Sequence, residues 1–284
     1  MLCEAPAMRK GIYLLIGGAA AVVTAACGDG HGHHGHGYDE SGIVFGISQA
    51  IDPASGKTTT RAGYEYLELA RKGGWSTTLR REGDDGVCIY EELDRRVGRP
   101  NVGDGGRARW SGGALPPGGL VVNANEEDAK LDGAAFAPGS TLSFAVDFGF
   151  AIPDIPPVPV AAPRSELAIV APAAGELTVD PATGLAFEWS AGRTEDHPSR
   201  VMVALETEDA DGQGGRRNEV RCFFDEEDGR GAIPSAFVQR LGGPGTKGVV
   251  QIASHRQVTV FARGGWTVYV VGAIVHREQP FVLK

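Results

Sequence analysis

From Thr141 to Phe150 every second residue is large and apolar. Leu142, Phe144, Val146, Phe148 and Phe150 alternate with Thr141, Ser143, Ala145, Asp147 and Gly149. Successive strand residues point to opposite faces, so this spacing puts five apolar groups on one surface, where a helix would scatter them round its axis. Burying each is worth about 1.5–3 kcal/mol, enough to decide the local structure. The same period of two recurs at Leu185, Phe187 and Trp189, and at Val201, Val203 and Leu205.

Read with this period, residues 38–152 form a first β-rich module. Runs 43–49 and 58–69 flank a turn-rich link at 52–57 and predict a hairpin, with a short helix over 64–72 ending at Gly73 as the alternative. Runs 75–81 and 87–93 flank Glu82-Gly-Asp-Asp-Gly86, a second hairpin signal. Shorter strands are expected at 107–111 and 120–124. A second module over 165–284 is expected to carry strands at 167–170, 185–190, 201–207, 219–225, 249–253, 257–262 and 266–276. One helical piece is expected at 233–241, with Pro234 at its first position and Gly242 ending it. Between the modules, residues 153–164 hold Pro153, Pro156, Pro157, Pro159 and Pro163. Proline cannot donate to a sheet ladder, so a stiff connector is expected there. The fold class is all-β: two antiparallel sandwich-like modules.

Composition agrees. Gly occurs 42 times and Pro 17 times in 284 residues, which favours many turns over long helices. The net charge of −9 argues against nucleic acid as a partner, because phosphate backbones repel it. It also leaves no basic patch to hold anionic lipid.

The N-terminus reads differently from the rest. Arg9 and Lys10 form a positive head, residues 11–23 an apolar body, and Ala25 and Ala26 precede Cys27. This is the three-part pattern of an export signal, too short for the roughly 20 residues a spanning helix needs. Residues 1–7, with Cys3, lie ahead of it, and Met8 is the expected true start. Thr24-Ala25-Ala26-Cys27 resembles a bacterial lipobox, although that family prefers Leu where this chain has Thr24. The resemblance implies cleavage of residues 1–26, lipid on Cys27 and attachment to a membrane of the cell envelope. Gly28 after the Cys leans towards the outer membrane if the cell is Gram-negative.

Residues 27–37 form a Gly-rich tether. His31, His33, His34 and His36 within it could wrap Zn, Cu or Ni, or the segment could serve as a flexible spacer alone. Cys88 and Cys222 remain as an even pair, which an oxidising compartment would join or which could stay as two buried thiols.

Leu185-Ala-Phe-Glu-Trp189 followed by Val201-Met-Val-Ala-Leu205 resembles the early strands of an immunoglobulin-like or fibronectin type III-like sandwich with its buried Trp. Val220-Arg-Cys-Phe-Phe-Asp225 with Ile233-Pro-Ser-Ala-Phe237 is similar to uncharacterised bacterial lipoproteins of that type. No activity comes with the resemblance, because sandwiches host many unrelated roles.

Catalytic motifs are missing. Gly46-Ile-Ser48-Gln-Ala50 lacks the last Gly of a nucleophile elbow. His197, His255 and His276 stand apart in sequence, so no catalytic residue is assigned. The acidic runs 206–212 and 225–229 read as solvated turns rather than Ca(II) loops, since position 218 is Asn where a bidentate Glu would be needed. The functional expectation is a non-enzymatic, lipid-anchored binding or structural protein with an envelope protein or glycan as partner. The alternatives are metal capture by the His tract and an enzyme with a dispersed site.

Overall fold

The computed structural model describes residues 41–52, 55–68, 78–83, 87–94, 106–123, 128–147, 154–164, 167–190, 199–207, 216–262 and 266–284. The protein is all-β, and its described strands lie in three sheets. The largest has ten strands. Its order is β3 (Thr78–Gly83), β4 (Cys88–Asp94), β14 (Arg216–Asp225), β13 (Arg200–Thr207), β16 (Lys247–Ala262), β17 (Trp266–Leu283), β1 (Ser41–Ile51), β2 (Thr58–Glu68) and β7 (Asp128–Asp132). Beside the end of β17 lies β11 (Leu177–Val179). A second sheet runs β6 (Leu120–Asn123), β5 (Arg107–Gly112), β8 (Thr141–Asp147), β9 (Ile155–Ala161). The third is β10 (Ala168–Ala171), β12 (Leu185–Ser190), β15 (Arg230–Ile233).

The two small sheets pack against different halves of the large one, giving two sandwiches with a shared backing. In the first core, Trp110 of β5 and Phe144 of β8 face Phe45 of β1 and Val270 of β17. The Phe144 ring lies 4.9 Å from both Phe45 and Trp110, within the range of tilted aromatic contacts. In the second core, Phe187 and Trp189 of β12 face Val203, Val220 and Ile252 of the large sheet. The short helix α1 (Ser235–Val238) and the 3-10 turn Gln239–Leu241 close this core with Phe237 and Leu241. Pro234 caps that helix from an extended conformation, one position earlier than the sequence placed it.

The hairpin of β16 and β17 joins the two sandwiches. Along β16, Val250 and Ile252 enter the second core, while Val258 and Val260 pack on the first. The polar run Ser254-His255-Arg256 between them, which reads in sequence as a break between two strands, lies inside one continuous strand at the seam between the cores. Backbone pairing there needs no apolar side chains, because ladder bonds use only main-chain groups.

Two expectations change. Residues 155–161 are not a linker but strand β9, paired with β8 from Thr141↔Ala161 to Val146↔Ile155. As an edge strand with β8 as its ladder partner, β9 tolerates the donors that Pro156, Pro157 and Pro159 lack. Nor do the prolines divide the cores: β4 brings Cys88 and Tyr90 into the second, and β17 brings Val268 and Val270 into the first. The crossing arises because β1 pairs in parallel with β17, from Gly42↔Thr267 to Ala50↔Val275. Phe148 and Phe150, the end of the alternating run, lie outside the described residues.

Candidate functional site

Three places bring chemistry-bearing side chains together. The first is the pairing of β4 with β14. Antiparallel register sets Cys88 opposite Cys222, and a disulfide of 2.04 Å joins them. The Phe223 N–H donates to the Val87 carbonyl just beside the pair, so the two cysteines occupy a non-hydrogen-bonded position, where facing side chains approach most closely. Both are buried against Phe187 and Val203.

The same alternation that turns Val220 and Cys222 inward turns Glu219, Arg221 and Phe223 to the other face. There Arg221 is gripped between two carboxylates. Its Nη2 donates to Glu219 Oε2 at 2.6 Å, its Nε to Glu219 Oε1, and its Nη1 lies 3.0 Å from Glu91 Oε2. All three are at most 5% exposed. Arg217 donates to the buried Glu206, one strand away. Burial pushes the Glu219 carboxyl up to about 8, with Glu206 and Glu91 adding to the rise and Arg221 opposing it. Glu206, expected in a solvated acidic turn, is thus a buried strand residue with an ion-pair partner. Residues 208–212 of that turn lie outside the described residues. In the second acidic run, Glu226–Asp228 form a 3-10 turn whose Glu226 is buried and whose backbone carbonyl accepts from the Trp189 indole at 2.7 Å.

The second place is a bulge in the long hairpin. Ile252 pairs with Arg277 but Ala253 with Val275, so His276 is the extra residue. Bulges re-aim side chains, and here the Ser254 hydroxyl and His276 Nε2 meet at 2.8 Å. His276 is therefore not isolated, as its sequence position had implied. Burial lowers the His276 imidazole to about 4, and burial with the nearby Arg200 charge lowers His255 to about 4, so both are neutral at pH 7. The pair has the composition of a nucleophile and base, yet Ser254 is 0% exposed, which closes it to a substrate in this conformation. Sequence reading missed the pair because it depends on register and on the bulge.

The third place is open to solvent. On the outer face of the four-stranded sheet, a cleft of about 630 Å³ runs across β5, β8 and β9. Arg109 and Asp147 bridge its floor at 2.7 Å. Pro156 and Pro157 form one wall, where β9 carries an extra residue opposite Ala145.

Cys27, His31, His33, His34, His36 and His197 lie outside the described residues. Among the described residues, no three His, Cys, Asp or Glu converge to hold a metal ion, and no helix is long and apolar enough to cross a membrane.

No family model and no curated protein matches the chain. Among solved structures, the FN1–FN3 domains of chicken CNTN1 align with 79% of this chain and 78% of their own at 7% identity, with a TM-score of 0.23. So low a score carries no argument, and the sandwich assignment rests on the sheets and cores described above.

Proposed function

We propose that the protein is an exported, lipid-anchored component of the cell envelope whose β-sandwiches serve as a non-enzymatic binding or structural part. The observation that carries the address is the buried Cys88–Cys222 bond, since disulfides persist in oxidising compartments and are rare in the cytosol. The lipobox-like run ending at Cys27 supplies an independent reason: two or more acyl chains on one cysteine anchor stably where one does not. A binding or structural role draws support from an open cleft on a sheet whose other face is packed core, set against a Ser–His pair whose hydroxyl is buried.

Mass spectrometry of the native N-terminus tests the address. The expected product begins at Cys27 and carries fatty acyl chains. A native chain that keeps residues 1–26, or starts at Cys27 without acylation, rules it out. A second reading, capture of Zn, Cu or Ni by the tether, draws on the four imidazoles between His31 and His36. Unchanged growth under zinc or copper stress after deletion of residues 31–36 removes it.

A further inference from the structure

The cleft on the four-stranded sheet has a more definite chemistry than its shape alone. Its volume, about 630 Å³, falls in the range of small-ligand sites. Alternation along β5 turns Ala108 and Trp110 into the first core and leaves Arg107, Arg109 and Ser111 facing outward. On β8 the same alternation presents Ser143, Ala145 and Asp147 to the cleft. The site therefore stands on strands whose other face is packed core, which holds its side chains in place.

Three features narrow the ligand. First, the guanidinium of Arg107 and the hydroxyls of Ser111 and Ser143 have no partner among the described residues. They offer unused donors and acceptors side by side. Second, the charges of the described lining residues balance: Arg107 and Arg109 stand against Asp147 and Asp154. A cleft with no net charge has no attraction for a polyanion, whereas a hydroxyl group, which both donates and accepts, matches guanidinium and carboxylate together. Third, the wall formed by Pro156 and Pro157 is apolar and offers no backbone N–H. A peptide could not extend the sheet there by ladder bonds on that stretch, while the C–H face of a sugar ring can lie against the proline rings.

We propose that this cleft is a binding site for a neutral saccharide, one ring or two, held by Arg107, the Arg109–Asp147 pair and the serine hydroxyls, with its apolar face on Pro156 and Pro157. The inference rests on the binding role proposed above and names its ligand class. It is independent of the lipid address, which the N-terminal mass measurement decides separately.

The test is a glycan array that includes neutral and acidic oligosaccharides, probed with the full chain and followed by titration of the best neutral hit. Arg107→Ala is expected to weaken that binding at least tenfold. Ala145→Trp, which fills the floor of the cleft, is expected to abolish it. Both should leave the thermal midpoint within a few degrees of the parent. Should Ala145→Trp unfold the chain, Ser143→Val reports on the same floor with a smaller change and is expected to weaken binding severalfold. The proposal is overturned if no neutral glycan binds, or if binding is restricted to acidic glycans and disappears with salt. It is equally overturned if folded Arg107→Ala and Ser143→Val proteins bind as the parent does, or if a proline-rich peptide takes the cleft in competition while sugars do not.

Discussion

The two sandwiches share a backing sheet but differ in what reinforces their cores. The first core relies on aromatic packing: Trp110, Phe144 and Phe45 meet in one contiguous tilted group, and among its described residues there is no disulfide. The second core contains a disulfide that joins β4 to β14, neighbouring strands of the shared sheet whose cysteines lie 134 residues apart in sequence. The difference follows from chain order. In the first sandwich the four-stranded sheet is assembled from nearby segments, β5, β6, β8 and β9. In the second, the β3–β4 hairpin must dock beside β14, a strand far along the chain. A crosslink gains most where the loop it closes is long, because more disorder is removed from the unfolded chain.

The widest test of this comparison asks whether the sandwiches unfold together. Phe144→Ala in the first core and Phe187→Ala in the second should each cost about 3–5 kcal/mol, the usual range for a buried aromatic. Because β16 and β17 feed both cores, each variant is expected to shift one common denaturant transition. Two separate transitions would break the idea of a shared backing.

A comparable loss is expected from Arg221→Met, which removes the buried cation that Glu91 and Glu219 share: about 3–5 kcal/mol by chemical denaturation. Adding Glu91→Gln and Glu219→Gln to that variant should recover much of it, since the cost is buried acidic groups that have lost their cation rather than lost volume. Replacing Cys88 and Cys222 by Ala is expected to cost about 2–5 kcal/mol. Amide exchange should then rise in β4 and β14 more than in β5 and β8. Equal loosening of both sandwiches would mean that the bond does not act locally.

Stability should also depend on pH from both sides. The Glu219 carboxyl is raised to about 8, so its contribution is complete below pH 4.5 and is lost as pH climbs through 8. The imidazoles of His255 and His276 are lowered to about 4, so theirs is complete above pH 6.5 and is lost as pH falls through 4. Unfolding midpoints measured from pH 4 to 9 should therefore fall at each end. Glu219→Gln is expected to flatten the alkaline limb and His255→Leu to shallow the acid one. The smallest effect belongs to the exposed pair: Arg109→Ala should cost less than about 1 kcal/mol, because solvent screens the charges.

Much of the fold could be read from residue order. The alternation of Leu142, Phe144 and Val146 names both the strand and its buried face, and Leu185–Ser190 matches its expected bounds. The runs around residues 52–57 and 82–86 lie between strands that pair as the hairpins expected. These are local features, set by which face each side chain must take. The strands that escaped notice lack that signal. In β9, prolines mask the alternation. In β7, Asp128, Lys130 and Asp132 leave too little apolar surface to mark a strand.

The candidate site divides in the same way. Cys88 and Cys222 were legible as a pair of thiols in strands, but only register sets them opposite one another. Nothing in residue order brings Ser254 to His276, or Arg221 between Glu91 and Glu219. Glu91 comes to Arg221 from a distant strand, and Ser254 meets His276 only through the register and bulge of one hairpin; the free energy that selects these arrangements comes from burying both cores at once. Side-chain period alone therefore determined that this protein is made of strands and which face of many of them is wet. Tertiary structure decided which strands are neighbours, because backbone hydrogen bonds are nearly the same for every pairing and only the combined packing distinguishes one from another.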